Sequence, residues 1–365
     1  MNYNWQQRDW PNFIYDEKQI PSFSLGKRLG ILEEKFSSLS QKSESDTTAD
    51  LLILEALRTS EIEGEFLSRE DVMSSIKKNL GISGKTSPLV RDKRAKGIAN
   101  VLVEARKTFS QKLTKSMLLK WHKLLMEGNK YINAGVWRSS NEPMQIVSGA
   151  IGKEKVHFEA PPSFRVEEEM RLFISWFNAS ESSISNPAVR SALTHLYFES
   201  IHPFEDGNGR IGRILSEKVL LQSIVFALPI SLSAAIEATR KQYYAELNKA
   251  QKSLEVNSWL NYFNSMIQSA IKISENIIDL TLFKAFVFNN YGNKLNERQK
   301  KVMNKLFNAE PEGFEGGLTA KKYGNMTKAS KATATRDLQQ LRDWELIKPF
   351  GSGRSLAYLI NFKKA

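Results

Sequence analysis

The sequence predicts a mainly α protein: a helical bundle interrupted by one short β-hairpin, followed by a smaller C-terminal module in which a hairpin follows three helices. Three observations predict it. Apolar residues recur at helical spacing through most of the chain before Tyr291. Strand-prone runs around a glycine-bearing turn are confined to Gln145–Phe158 and Ile347–Ile360. Basic charge gathers in Tyr291–Ala365, which holds 15 Lys or Arg against 7 Asp or Glu and so supplies 8 of the chain's formal charge of +12. At 365 residues, 41% of them hydrophobic, the chain exceeds what one core usually holds, and two or three domains are expected.

The first element is an aromatic arm, Trp5, Trp10, Phe13 and Tyr15, whose rings would be costly to leave in water and which is expected to dock on the bundle. Leu51, Leu52, Leu54, Leu57 and Ile62 define a helix over Thr47–Ile62, with Gly64 as its C-terminal stop. The same periodicity recurs in Lys115–Met126, Glu167–Asn178 and Pro187–Ile201. Further helices are expected over Ile211–Leu221, Ala234–Ser253 and Ser258–Phe288. Gln145–Phe158 reads as a hairpin within this helical region. Beyond Tyr291, a helix over Asn296–Phe307, one starting at Thr319 and one over Ser330–Asp343 precede a glycine-tipped, two-stranded wing, the order of a winged helix-turn-helix domain.

Composition removes several classes. Without cysteine there are no disulfides and no thiolate metal sites, which suits a reducing cytoplasm. The first ten residues lack the basic and apolar regions of a secretory signal. Val219–Ile236 is greasy but broken by Gln222, Ser223 and Pro229, so it reads as a buried helix and turn rather than a membrane span. A cytoplasmic protein with no membrane partner is expected.

The densest chemistry lies in His202–Arg213, HPFEDGNGRIGR. Gly207 and Gly209 permit a sharp turn that exposes consecutive backbone N–H groups, and Asn208 tolerates the same conformations, so the bend forms an anion nest. A helix starting there adds its dipole. Arg210 and Arg213, three residues apart, share one helix face and can both reach a polyphosphate. His202 can take a proton from a hydroxyl, and Asp206 is a hard oxygen ligand suited to Mg²⁺ on phosphate oxygens. The plain alternative is a loop in which His202 and Asp206 only cap helices and the glycines only turn the chain. His122 and His195 sit on helical segments and read as structural, and His157 as a hairpin-edge or solvated residue.

This string resembles the signature of the Fic family, His-x-Phe-x-(Asp/Glu)-Gly-Asn-Gly-Arg-x-x-Arg, and matches it at every specified position. The resemblance spans most of the chain from Met1 to about Leu280. It implies a Fic-type helical bundle with a hairpin flap, and a nucleotidyltransferase that moves AMP from ATP, with Mg²⁺, onto a Ser, Thr or Tyr hydroxyl of a target protein or of itself. Removal of AMP is the same site's other direction. The implied roles are His202 as base, Phe204 as anchor, Asp206 as metal ligand, Gly207, Asn208 and Gly209 as anion hole, and Arg210 and Arg213 as clamps for the outer phosphates.

Two further segments acquire meanings from the same resemblance. Glu61 and Glu63 fall in the last turn of their helix, where the dipole disfavours negative charge and a cationic partner would help. Thr59-Ser60-Glu61-Ile62-Glu63-Gly64 resembles the family's inhibitory motif, (Ser/Thr)-x-x-x-Glu-(Gly/Asn), which implies that Glu63, between Thr59 and Gly64, pairs with Arg213 and keeps it from the γ-phosphate. The hairpin, through Val147, Ser148 and Gly149, is implied to be a flap that aligns a target segment by strand addition. Tyr244 and Asn248, four apart on one helix face, are implied contributors to an adenine pocket, and the aromatic arm resembles a segment that accompanies some Fic proteins.

The expected organisation is residues 1–100 as an N-terminal helical region with the inhibitory helix, 101–280 as the catalytic core and 291–365 as the winged helix. Lys331, Thr335 and Arg336 at the start of the presumed recognition helix, with Arg354 on the wing, are candidates for DNA contact. They raise a second function class, a DNA-binding transcriptional regulator, with protein contacts as the alternative use of such a module. A homodimer remains open.

Overall fold

The computed structural model describes residues 3–21, 23–82, 90–148, 155–224, 228–309 and 313–362. In chain order the elements are α1 (Phe23–Ser37), α2 (Gln41–Ile62), α3 (Arg69–Asn79), α4 (Lys93–Lys107), α5 (Lys115–Leu125), β1 (Gln145–Ser148), β2 (Lys155–Glu159), α6 (Val166–Ser183), α7 (Pro187–Ile201), α8 (Asn208–Gln222), α9 (Leu232–Ala238), α10 (Arg240–Ala250) and α11 (Asn257–Tyr291). Then come α12 (Glu297–Ala309), α13 (Ala320–Thr327), α14 (Lys331–Asp343), β3 (Ile347–Phe350) and β4 (Ala357–Ile360). Contacts divide the chain into two units, Met1–Ser274 and Glu275–Ala365, with the division inside α11. Among the described residues no helix is long and apolar enough to cross a membrane.

In the first unit, polar side chains set the helix starts. Ser40, Ser68 and Thr114 each accept the amide three residues on, and Asp92 and Asn186 the amide two residues on, caps worth about 1 kcal/mol apiece. Pro187 follows Asn186 at the first helical position, where its missing N–H costs nothing. Every residue of α7 from Ala188 to Ile201 is buried, and so is α8 from Arg210 to Leu221. Neither helix has a solvent face, because α7 and α8 pack on each other while α2, α4 and α9 pack on α8. Phe173, Phe177, Phe198, Phe204 and Leu215 fill the core around them. The loop joining α7 to α8 therefore starts and ends in rigid, enclosed structure.

The arm docks as expected. Asn4 donates its backbone N–H to the Gln251 carbonyl at 2.8 Å and its side-chain amide to Ser200 Oγ at 2.8 Å. Trp5 Nε1 donates to the Glu159 carbonyl at 2.7 Å and Trp10 Nε1 to Glu169 Oε2 at 2.9 Å. The Trp10 ring stands edge-on to Phe13 and Tyr197.

Several boundaries differ from the sequence expectation. The helix expected from Thr47 begins at Gln41, because Ser40 supplies a cap nearly two turns earlier. The run expected as one helix over Ala234–Ser253 is two, broken at Thr239 (φ −128°, ψ 32°), whose hydroxyl turns to the Ala235 carbonyl and the Met266 sulfur. Helices α1, α3 and α4 had no individual assignment; α3 has only Val72 and Ile76 as buried aliphatic anchors, too few for a clear period. β1 and β2 form the expected antiparallel hairpin, pairing Ile146 with Phe158 and, after a register irregularity, Val147 with Val156. Gly149, the third residue named for that hairpin, lies outside the described residues.

The second unit encloses its own core of Val302, Met303, Leu306, Leu338, Leu341, Leu346 and Ile360. Asp337, 5% exposed on α14, receives Arg298, Asn296 and the Tyr323 hydroxyl, fastening α12, α13 and α14 together. β3 and β4 pair antiparallel from Ile347–Ile360 to Phe350–Ala357.

Candidate active site

His202 terminates α7 in the left-handed region (φ 51°, ψ 61°), an uncommon conformation for a side chain with a Cβ, while its amide still bonds the Phe198 carbonyl at 2.9 Å. Two residues on, Phe204 is fully buried and stacks on the His122 ring at 3.9 Å between centroids. Asn208 clasps the same residue: its Oδ1 accepts the Phe204 N–H at 2.9 Å and its Nδ2 donates to the Phe204 carbonyl at 2.8 Å. Gly207 caps α8 at φ 78°, where a Cβ would strike Met126, and it offers no side-chain acceptor to the first-turn amides. The first-turn amides of α8 are thus left without a side-chain cap, and of the expected turn residues only Gly207 takes a positive φ, Asn208 and Gly209 being already helical.

The histidines read as structural have defined tasks. His122 Nδ1 accepts the Gly135 N–H at 2.9 Å, so its Nε2 carries the proton and donates to the Asp206 carbonyl at 3.2 Å. Burial lowers its pKa to about 4, which keeps the ring neutral as a strut beneath the loop. His195 lies between the Tyr243 hydroxyl at 2.7 Å and the Ser216 hydroxyl at 3.2 Å, and burial also lowers it to about 4. His157 contributes its carbonyl, which accepts Asn248 Nδ2 at 2.6 Å and ties α10 to β2.

Both arginines of the loop meet carboxylates from the segment that follows α2. Arg213, 1% exposed, donates Nε to Thr59 Oγ1 at 2.8 Å, and Nη2 to the Thr59 carbonyl at 3.1 Å and to Glu63 Oε1 at 2.7 Å. Burial opposes the charge of Arg213, but Glu63 outweighs it and raises the guanidinium's pKa above its ordinary value. The Glu63 carboxylate lies directly over Gly209, where any Cβ would strike it. Gly64 follows at φ 81° and turns the chain out of the helix. Arg210 donates to Glu65 Oε2 at 3.0 Å and to both Asp206 oxygens at 3.3 Å. Tyr244 OH donates to the Ile62 carbonyl at 3.3 Å and Arg240 to that of Glu61 at 3.2 Å, so α10 holds the end of α2. Burial, then the Glu63 charge, push the Tyr244 hydroxyl up to about 12.

A cleft of about 320 Å³ opens beside this cluster, lined among others by Asp206, Arg210, Glu65, Lys93, Arg94 and Lys130. The Asp206 side chain is 44% exposed there, with Oδ1 fixed by the Gly207 N–H at 2.6 Å. Among the described residues no group of three His, Asp or Glu side chains forms a metal cage. One half-exposed carboxylate beside an anion nest nevertheless fits Mg²⁺, which keeps most of its waters and takes the rest of its ligands from phosphates.

Two residues were not singled out from the sequence. Glu65 could have been noticed as a second acid two residues beyond Glu63, offset like the two arginines toward one partner each. Arg138 had no signal. It is buried, and it donates Nε to the His202 carbonyl at 2.7 Å, Nη2 to the Pro161 and Ile201 carbonyls and Nη1 to Ser163 Oγ at 3.1 Å, while its amide bonds the Pro203 carbonyl at 2.9 Å. Burial lowers its pKa to about 10. In the second unit, Lys331, Thr335 and Arg336 of α14 are exposed while Ala334, Leu338 and Leu341 are buried; the Arg354 side chain lies outside the described residues.

Comparison with known proteins places these residues in context. Residues 112–220 match the model of the Fic/DOC family, and residues 3–82 match a domain of unknown function, DUF4172. A probable protein adenylyltransferase of Aquifex aeolicus is 30% identical over 122 residues, 33% of this chain and 35% of its own length. The protein adenylyltransferase Fic of Nematostella vectensis is 25% identical over 193 residues, 52% of this chain and 41% of its own. The chain thus spans well under half the length of these curated relatives. Its fold matches the crystal structure of a Fic family protein from Desulfovibrio desulfuricans with a TM-score of 0.55 at 18% identity, over 96% of this chain and 98% of that one.

Proposed function

We propose, since this chain belongs to the Fic family, that it is a protein adenylyltransferase held in a restrained state by its own α2. The observation that carries this reading is the convergence of His202, Asp206, the α8 N-terminus, Arg210 and Arg213 on one loop, with Glu63 over Gly209 where an anion would sit. ATP is the substrate: its phosphates lie on the α8 amides, with Arg210 and Arg213 on the outer oxygens. Mg²⁺, held by Asp206, would neutralise charge on those phosphates. The target's Ser, Thr or Tyr hydroxyl loses its proton to His202 Nε2 as its oxygen bonds the α-phosphorus. The bond from that phosphorus to the bridging oxygen breaks, and pyrophosphate leaves with the electron pair. Such transfer depends mainly on positioning and charge stabilisation, which a pre-formed nest supplies. The β1–β2 hairpin, through Val147 and Ser148, aligns the target segment by strand pairing, and Tyr244 and Asn248 border the adenine.

Glu63 competes with the phosphates for both Arg213 and the nest, and Glu65 does the same for Arg210. The test incubates wild type and Glu63→Gly with ATP and Mg²⁺ and follows intact mass. A gain of one AMP on the protein or on an added target, larger in Glu63→Gly and absent in His202→Ala, is expected. A gain of phosphate alone, or equal activity of wild type and Glu63→Gly, overturns the reading. Loss of AMP from a pre-modified target would assign the site to removal. A second reading, DNA binding by the C-terminal unit, is favoured by one observation: Lys331, Thr335 and Arg336 are all exposed in the first two turns of α14.

A further inference from the structure

Glu199 lies on α7 three residues before His202, so the two side chains share one face of the helix end. Glu199 is 3% exposed and His202 8%. Glu199 Oε2 lies 3.6 Å from His202 Nδ1, a few tenths beyond a hydrogen bond. Among the described residues neither His202 Nδ1 nor Glu199 Oε1 has a hydrogen-bond partner. A buried ring nitrogen without a partner is costly alone, and the nearest acceptor to it is the other oxygen, Oε2, of the same under-partnered carboxylate. The space for this carboxylate is kept by Gly212 on α8: a Cβ there would lie 2.7 Å from Glu199 Oε1 and 3.3 Å from His195 Cε1. The charged and titratable groups facing Glu199 are His202 and His195 at the end of α7, Arg213 from α8 and the Tyr243 and Tyr244 hydroxyls from α10. Burial pushes its carboxyl pKa up, but His202, His195 and Arg213 outweigh burial and hold it below the ordinary range, so Glu199 is an anion at neutral pH.

We infer that Glu199 is a positioning residue for His202: it accepts the Nδ1–H, holds the neutral ring with Nε2 bare toward the nucleotide loop, and stabilises the imidazolium as it forms. The inference rests on the proposed role of His202 as proton acceptor. The hydroxyl proton ends on Nε2 and the Nδ1 proton stays on the ring; Glu199 gains no proton, and its contribution is electrostatic and orientational. Arg213, the one phosphate clamp whose charge Glu199 feels, hydrogen-bonds Thr59 and Glu63 and not Glu199, so neutralising Glu199 is expected to act on the ring far more than on ATP binding.

Two measurements on the full chain test this. In ¹⁵N-histidine NMR of the wild type, with the His202 signals assigned by their loss in His202→Gln, the neutral ring is expected to carry its proton on Nδ1. A proton on Nε2 overturns the inference, whatever the activity. In the Glu63→Gly background, Glu199→Gln is expected to lower kcat on the order of 100-fold while KM for ATP moves by less than about threefold. An unchanged kcat, or a loss carried by KM, overturns it. If the Glu63→Gly parent transfers no AMP at all, the proposed function fails, and the tautomer still decides whether Glu199 holds His202. If Glu199→Gln does not fold, the wild-type tautomer alone decides.

Discussion

At the scale of single residues, the position above Gly209 receives either the Glu63 carboxylate or, in the proposed cycle, a phosphate, and both cannot be there. Glu63→Gly should therefore raise AMP transfer by on the order of tenfold or more, equivalent to at least about 1.4 kcal/mol of released competition. Glu65→Gln should add a smaller increase, because Arg210 keeps Asp206 as a partner; titrating ATP in a mass-based transfer assay separates the two. The histidines differ in another way. His122 and His195 have folded pKa values of about 4, below the unfolded value near 6.5. Stability contributed by keeping them neutral is present above pH 6.5 and is lost as pH falls through 4, because the unfolded chain binds their protons first. Histidine NMR should show the His122 and His195 rings uncharged at about pH 5.5, and a charged ring at either position would refute the assignment.

At the scale of elements, Arg138 fixes the end of α7 to the chain just after β2 through three carbonyls and a hydroxyl. Lysine cannot reproduce that planar fork. Arg138→Lys should lower kcat about tenfold or more with a smaller change in the KM for ATP, read in the Glu63→Gly background. For α14, duplex affinity should fall steeply with salt, and Lys331→Glu with Arg336→Glu should abolish binding; no binding to any duplex at low salt would eliminate the DNA reading. The elements also explain what sequence could tell. α7 was read to the residue because Asn186-Pro187 is a strong start and His202-Pro203 a strong stop. α9 and α10 look like one helix in the sequence because nothing in a one-dimensional period announces that Thr239 will leave the helix. The loop from His202 to Arg213 was readable because its chemistry is contiguous. Glu199 and Arg138 were not, since their meaning lies in what they touch.

At the scale of the whole molecule, the arm, α6, α7 and α10 form one connected body through Asn4, Trp5 and Trp10. Trp10→Ala removes a ring packed on Phe13 and Tyr197 and a donor to Glu169, so it should cost about 2–3 kcal/mol in urea unfolding, below the value for a fully enclosed tryptophan. An unchanged midpoint would mean that the arm is an ornament on the bundle. The division falls inside α11, a helix of continuous period that carries no mark where one core ends and another begins. The shared fastening at Arg138 has a mechanical corollary. The Pro161 carbonyl, two residues past β2, and the carbonyl of His202 are bound to the same guanidinium, so loosening Arg138 would release the strand's exit and the histidine's backbone together rather than one at a time.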